Sequence, residues 1–273
     1  MLDNFGKLED ILFTVAVLSY LISMVLYFAV LISHKEKIGK YASIILKIAF
    51  GIHTLAIIAR GIGAGRFPLA NQYEFATSFA WGIALFLIIF ETKYKYSSIG
   101  AFVVPILFLI IGYAAMQNKE VRPLMPALQS GWLAIHVSMA IIGYGSFAVA
   151  CGVAAMYLVK QKHPDSVKVK LPEAQNLDNI SYRAIMLGYF FLTLTIITGA
   201  LWAQKAWGRY WAWDPKETWS LITWIIYTAY LHMRKVKGMK GEKAAWFAVI
   251  GFICVVFTYI GVNTLIPSIH SYK

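Results

Sequence analysis

The sequence predicts an all-α polytopic membrane protein of about eight transmembrane helices, with a tryptophan-rich external loop between helices 6 and 7. Three observations predict this. Of 273 residues, 59% are hydrophobic and only 14% charged, with a mean hydropathy of +0.64; a soluble domain carries roughly a quarter charged residues. The charges fall in short runs separated by apolar stretches of about 20 residues, enough helix to cross a ~30 Å hydrocarbon core. Lysine and arginine are also distributed unequally between alternate loops.

In chain order, the spans cover about 11–32, 41–62, 75–90, 98–116, 132–159, 184–204, 219–233 and 245–264. The start, "MLDNFGKLED", is acidic rather than basic, and Ile11 already opens a full-length span. That argues against a cleaved signal peptide. The second span carries one internal cation, Lys47. Before the third lies "RFPLANQYEF", 66–75, read either as a capped loop returning the chain to the membrane or as a flap closing over a ligand. The fifth span is long, about 28 residues or ~42 Å of helix, so its first turns stand near or above the membrane surface. The sixth follows a lysine-rich linker, 160–183. The third and seventh are the shortest. The eighth stops at Pro267. With no internal repeat or low-complexity stretch, 1–273 reads as a single transmembrane domain.

The formal charge of +12 would raise the question of nucleic acid in a soluble protein. Here the positive-inside rule accounts for it. The loops after helices 1, 3, 5 and 7 hold fifteen Lys and Arg, against nine in the alternate segments. Both termini and the loop "WGRYWAWDPKETW", 207–219, are therefore expected outside, and the 160–183 linker in the cytoplasm. Cys151 and Cys254 each fall inside a span and form no CxxC, so they offer neither a disulfide framework nor a redox relay. No GxxxxGK[ST] stretch is present, which excludes ATP binding through a Walker loop.

Topology gives each histidine a depth. His34 and His163 lie beside lysines in inward loops and read as solvated. His136, five residues into the fifth span, and His270, three residues from the end, both belong to the outer face, with the tryptophan loop between them in sequence. Two histidines can ligate a b-type haem axially, and aromatic rings suit a porphyrin face. Arg209 and Lys216 could then meet the propionates. The alternative is an interfacial aromatic belt with two histidines at the same level, although a belt does not require four tryptophans on one connection. Deeper in the membrane are His53 and His232. Each is read either as a neutral imidazole bonded to a neighbouring helix or as a ligand of a second haem.

"WGRYWAWDPKETWSLITWIIYTAYLHMR", 207–234, resembles the tryptophan-rich signature of the haem-handling proteins of cytochrome c assembly, nearest to the integral-membrane subunit of the System II cytochrome c synthase. "HTLAIIARGIGAGRFPLANQYEF", 53–75, matches the first half of that family. The resemblance implies haem b as bound substrate, with His136 and His270 as its external axial ligands and the catalytic pair. It implies that Trp207, Gly208, Trp211, Trp213, Asp214, Pro215 and Trp219 shelter that haem, and that His232 binds haem within the membrane. His53 matches the first half without a firm role. Also implied are a large System II partner subunit, apocytochrome c as substrate, and a bacterial inner or thylakoid-type membrane with the tryptophan loop on its periplasmic or lumenal side. A System I-type haem delivery protein, a regulatory membrane protein of haem biosynthesis and a b-type electron-transfer cytochrome are the competing classes.

Overall fold

The computed structural model describes residues 2–33, 35–162 and 171–266. Eight long helices account for most of them: α1 Leu2–Ser33, α2 Glu36–Ala64, α3 Gln72–Tyr94, α4 Ser98–Ala115, α5 Gly131–Lys162, α6 Ala174–Trp207, α7 Pro215–Lys237 and α8 Glu242–Val256. α8 continues through a π-helical turn, Phe257–Gly261, into a short α9, Val262–Leu265. Each expected span has its helix. The helices overrun the apolar windows, most at α1 and α6, because backbone hydrogen bonding continues past the hydrocarbon edge into the interface.

Seven of these helices are long and apolar enough to cross a membrane, with α8 counted through to Leu265. α7 is the exception. At 23 residues it measures about 34 Å, which suffices in length, but threonines, a serine and His232 interrupt its apolar surface. It is amphipathic where the other seven are apolar on nearly all sides.

α5 is the central element. It packs on α3, α4, α6 and α8 and is the most enclosed of the seven apolar helices. Small residues permit this, as they do where helices must pack closely without a hydrophobic driving force. At the α3–α5 crossing Gly82 meets Gly145, and a Cβ on Gly145 would stand 2.7 Å from the Gly82 carbonyl. α1 and α2 form a hairpin on the flank, joined to the rest through α4 and α3.

Buried polar clusters pin the two ends of the bundle. At one end Glu74 is 1% exposed and accepts from Arg60 at 3.1 Å and from both guanidinium nitrogens of Arg66 at 2.8 and 3.0 Å. Arg60 also donates to the Lys119 carbonyl, and Tyr73 donates to Glu9. These bonds draw α1, α2, α3 and the segment after α4 together. At the opposite end Arg234 of α7 pairs with Asp178 of α6, donating at 2.9 Å, while Gly241 N–H donates to the same carboxylate. There too, Glu91 of α3 accepts from Tyr27 and Ser43. Buried ion pairs stabilise less than their Coulomb energy suggests, but each of these fixes helix register.

Candidate functional site

The first cluster stands beside a cavity of about 180 Å³. Its walls come from the 69–72 segment, the start of α5, the last turns of α6, the 208–214 loop with the start of α7, and the π-helical turn with α9. The convergence follows from the helix order, since alternate connections return to the same end of the bundle.

His136 lies on one wall. Its Nδ1 is 2.8 Å from the carbonyl oxygen of Thr195 in α6. A carbonyl only accepts, so Nδ1 carries the proton, and in the neutral ring Nε2 is the basic, metal-binding nitrogen. Room for this contact is provided by Gly199: a Cβ there would lie 2.8 Å from both Cε1 and Nδ1 of the imidazole. The ring runs nearly parallel to that of Trp202, with centroids 6.1 Å apart and planes 13° from each other. Trp202 is itself buried and meets Trp207 edge-on.

The tryptophan loop is ordered by the helix it precedes. Asp214 is the N-cap of α7, Pro215 its first residue, and Glu217 closes a capping box. The Asp214 carboxylate accepts from Lys216 N–H at 3.1 Å; Glu217 Oε2 accepts from Ala212 N–H at 2.7 Å and Asp214 N–H at 3.1 Å. This is the D-P-x-E grammar of a helix start. Trp213, just before the cap, takes a left-handed conformation with φ +60°. That turns its ring outward, to 68% exposed, while Trp211 points inward and lines the cavity.

The expected site residues therefore separate into groups. His136, Trp211 and Lys216 line the cavity. Trp207, Gly208, Arg209 and Trp213 are exposed, outside its lining. Asp214 and Pro215 build the start of α7, and Trp219 packs on Phe257 of the π-helical turn, centroids 4.2 Å apart. Burial pulls the Lys216 ammonium down to about 8, with the Asp214 carboxylate pushing the other way. His270, like His34 and His163, lies outside the described residues. The 66–75 segment is the capped loop expected of it, Asn71 capping α3 by accepting from Glu74 N–H at 2.8 Å, and its residues 69–72 also line the cavity.

The deep histidines do not meet. His53 is completely buried, its Nδ1 3.2 Å from the Tyr20 hydroxyl, between α2 and α1. His232 is exposed on the outer face of α7, which packs on α6, α8 and the π-helical turn. Among the described residues no group of three or more His, Cys, Asp or Glu side chains could hold a metal ion.

Sequence reasoning missed Thr195, Gly199 and Trp202 around His136, and Tyr144, Tyr259 and Asn263 elsewhere in the lining. The only signal for the first group was helical spacing: Thr195, Gly199 and Trp202 follow at i, i+4 and i+7, one stripe of α6.

The model of the cytochrome c assembly protein family matches residues 69–270. The chain belongs to the cytochrome c assembly protein family. The chain is similar to cytochrome c biogenesis protein CcsA of Guillardia theta, 38% identical with 93% of each chain covered. CcsA of Prochlorococcus marinus MIT 9301 is 35% identical over all of this chain and 98% of its own. Among solved structures, a cytochrome c heme lyase, CcmF, superposes with a TM-score of 0.75 over 93% of this chain at 17% identity. The chain spans 46% of that longer protein, so this likeness shows the fold alone. The matched region takes in every cavity wall, and the family is the one the tryptophan signature resembles.

Proposed function

We propose that the chain is the membrane haem-handling subunit of a System II cytochrome c synthase, and that the cavity beneath the tryptophan loop presents haem to apocytochrome c. One observation carries this reading: an imidazole whose Nδ1 proton is committed to a backbone carbonyl, at the wall of an aromatic cavity in a cytochrome c assembly protein. Such a second hydrogen bond fixes ring orientation and raises ligand basicity, as in most metal-binding histidines. His270 supplies the other axial position. It follows five residues after Leu265, the last residue of α9.

At about 180 Å³ the cavity is smaller than the roughly 300–1,000 Å³ of a typical small-molecule site. A macrocycle therefore enters edge-first, with the remainder across the mouth beside Tyr210 and the exposed tryptophans. That leaves the vinyl side open to a CxxCH segment. Each thiol adds across a vinyl double bond: a carbon–sulfur bond forms and the thiol hydrogen passes to the neighbouring carbon, with no oxidant required. Catalysis of this step is mainly positioning.

His232 lies about 20 Å of helix below Trp219, too far to share an iron with His136. Its exposure suits a ligand completed by the large partner subunit, an earlier stop for haem crossing from the cytoplasm. The positive-inside count supports an external position for the cavity, which in a bacterial inner or thylakoid-type membrane is the periplasmic or lumenal side.

His136→Ala and His270→Ala, each expressed with the partner and a c-type reporter, should abolish covalent haem attachment while the protein still inserts. Added imidazole should restore part of it by refilling the vacant axial position. Undiminished attachment in both alanine variants without imidazole rules the reading out.

A further inference from the structure

Asn263 is 5% exposed and lines the cavity, and its Oδ1 is enclosed without a hydrogen-bond partner. The indole Nε1 of Trp211, on the tryptophan-loop wall, is likewise buried and unpartnered. Leaving a buried polar atom unsatisfied costs about 1–3 kcal/mol, so two in one cavity call for a polar group or a water to complete them. Local folding holds Asn263 in place. The π-helical turn inserts an extra residue into the α8 ladder, and the Phe257 ring crosses over Gly261, where a Cβ would lie 2.6 Å from it. Such turns concentrate at functional sites. Thr258 and Tyr259 within the turn and Asn263 just beyond it all line the cavity.

We propose that the Asn263 amide and the Trp211 indole N–H are donors to the carboxylate side arms of the haem and thereby set which edge of the macrocycle faces the substrate thiols. This rests on the haem reading above and adds residues to it. A carboxylate suits both groups. The indole only donates, and an amide can turn to offer its NH2 without changing shape. Lys216 on the same lining gives the cavity a cation. On the haem reading the other substituents of the macrocycle are apolar, so its carboxylates are the groups that two donors in the cavity would meet.

Orientation follows from where donors stand. Haem carries its two carboxylates on one edge and its vinyls elsewhere, so anchoring the acidic edge inside the cavity turns the vinyls toward the mouth.

The test titrates the full chain in detergent with haem and with haem dimethyl ester, whose carboxylates are blocked, following the haem absorption band. The wild type should prefer free haem by about tenfold or more, the scale of a hydrogen bond to a charged group. Asn263→Leu and Trp211→Phe should each weaken free haem by about tenfold and leave the ester unchanged. Asn263→Asp, nearly isosteric, keeps the packing and should repel free haem selectively. The ligation spectrum should persist in all three. An equal loss for haem and ester, or an unaltered preference, overturns the carboxylate subsite while the haem reading stands on the wild type's His136-dependent spectrum. A weakening confined to the binding of an apocytochrome peptide overturns the subsite in the same way. A wild type that binds neither form removes both.

Discussion

Replacing Gly199 with alanine tests whether His136 must sit where α6 holds it. Alanine is the better helix former by about 1 kcal/mol. At Gly112, where an added Cβ meets nothing within 4 Å, the same change should therefore leave the protein as stable or slightly more so. At Gly199 the methyl would stand 2.8 Å from two atoms of the His136 ring, about 1 Å inside ordinary contact. Overpacking of this kind costs about 1–3 kcal/mol, and retreat of the ring breaks the bond to Thr195, worth about 1 kcal/mol. Helix propensity offsets part of that, so net destabilisation should not exceed about 3 kcal/mol and the fold survives. The effect on chemistry is larger, because misplacing a reacting group by about 1 Å costs on the order of 10²-fold. Covalent haem attachment to a reporter, normalised to membrane-inserted protein, should fall by about that factor in Gly199→Ala and not in Gly112→Ala. Full attachment in Gly199→Ala, with unchanged melting, would refute the claim that α6 positions the imidazole.

Trp211→Ala should lose haem while Trp213→Ala retains most of it, because one ring lines the cavity and the other is 68% exposed; equal haem loss in purified variants would return the loop to an interfacial belt. His232→Ala should deplete membrane haem in the presence of the partner, whereas His53→Ala should alter melting more than haem content, since His53 is enclosed against Tyr20. Severe and equal loss of deep haem in both would place the pair within this chain. The Lys216 ammonium, drawn down to about 8 by burial, is charged below that pH and neutral above. Because the folded state holds this proton less tightly than the unfolded chain, its destabilisation is full below pH 8 and relieved between about 8 and 10.5. Haem affinity should run the other way, weakening as pH rises through 8 and losing that dependence in Lys216→Gln; a persistent slope in the variant would assign it to another group.

The eight helices were legible because a bilayer sets a minimum length for every apolar run, and the seventh span read short because threonines, a serine and His232 break up its apolar surface. The D-P-K-E start of α7 was equally readable, as Asp with Glu three positions later and Pro between them spells a capping box. His136 could be singled out by depth alone. Its neighbours could not, because Thr195, Gly199 and Trp202 reach it across an α5–α6 crossing whose register depends on side-chain shape. The Glu74 cluster hid for the same reason: Glu9, Arg60, Arg66 and Glu74 are ordinary loop-side charges until four segments fold over them.

The contact between His136 and Thr195 runs to a main-chain oxygen, and this has an evolutionary side. A carboxylate partner can be lost, swapped or retuned by a single codon change. A carbonyl oxygen is present whichever residue stands at 195, so selection cannot erase the proton's address by altering that side chain. Variation reaches it only through helix geometry or through position 199, where the permitted alphabet is close to one letter. The imidazole's proton position is thereby inherited with the fold itself.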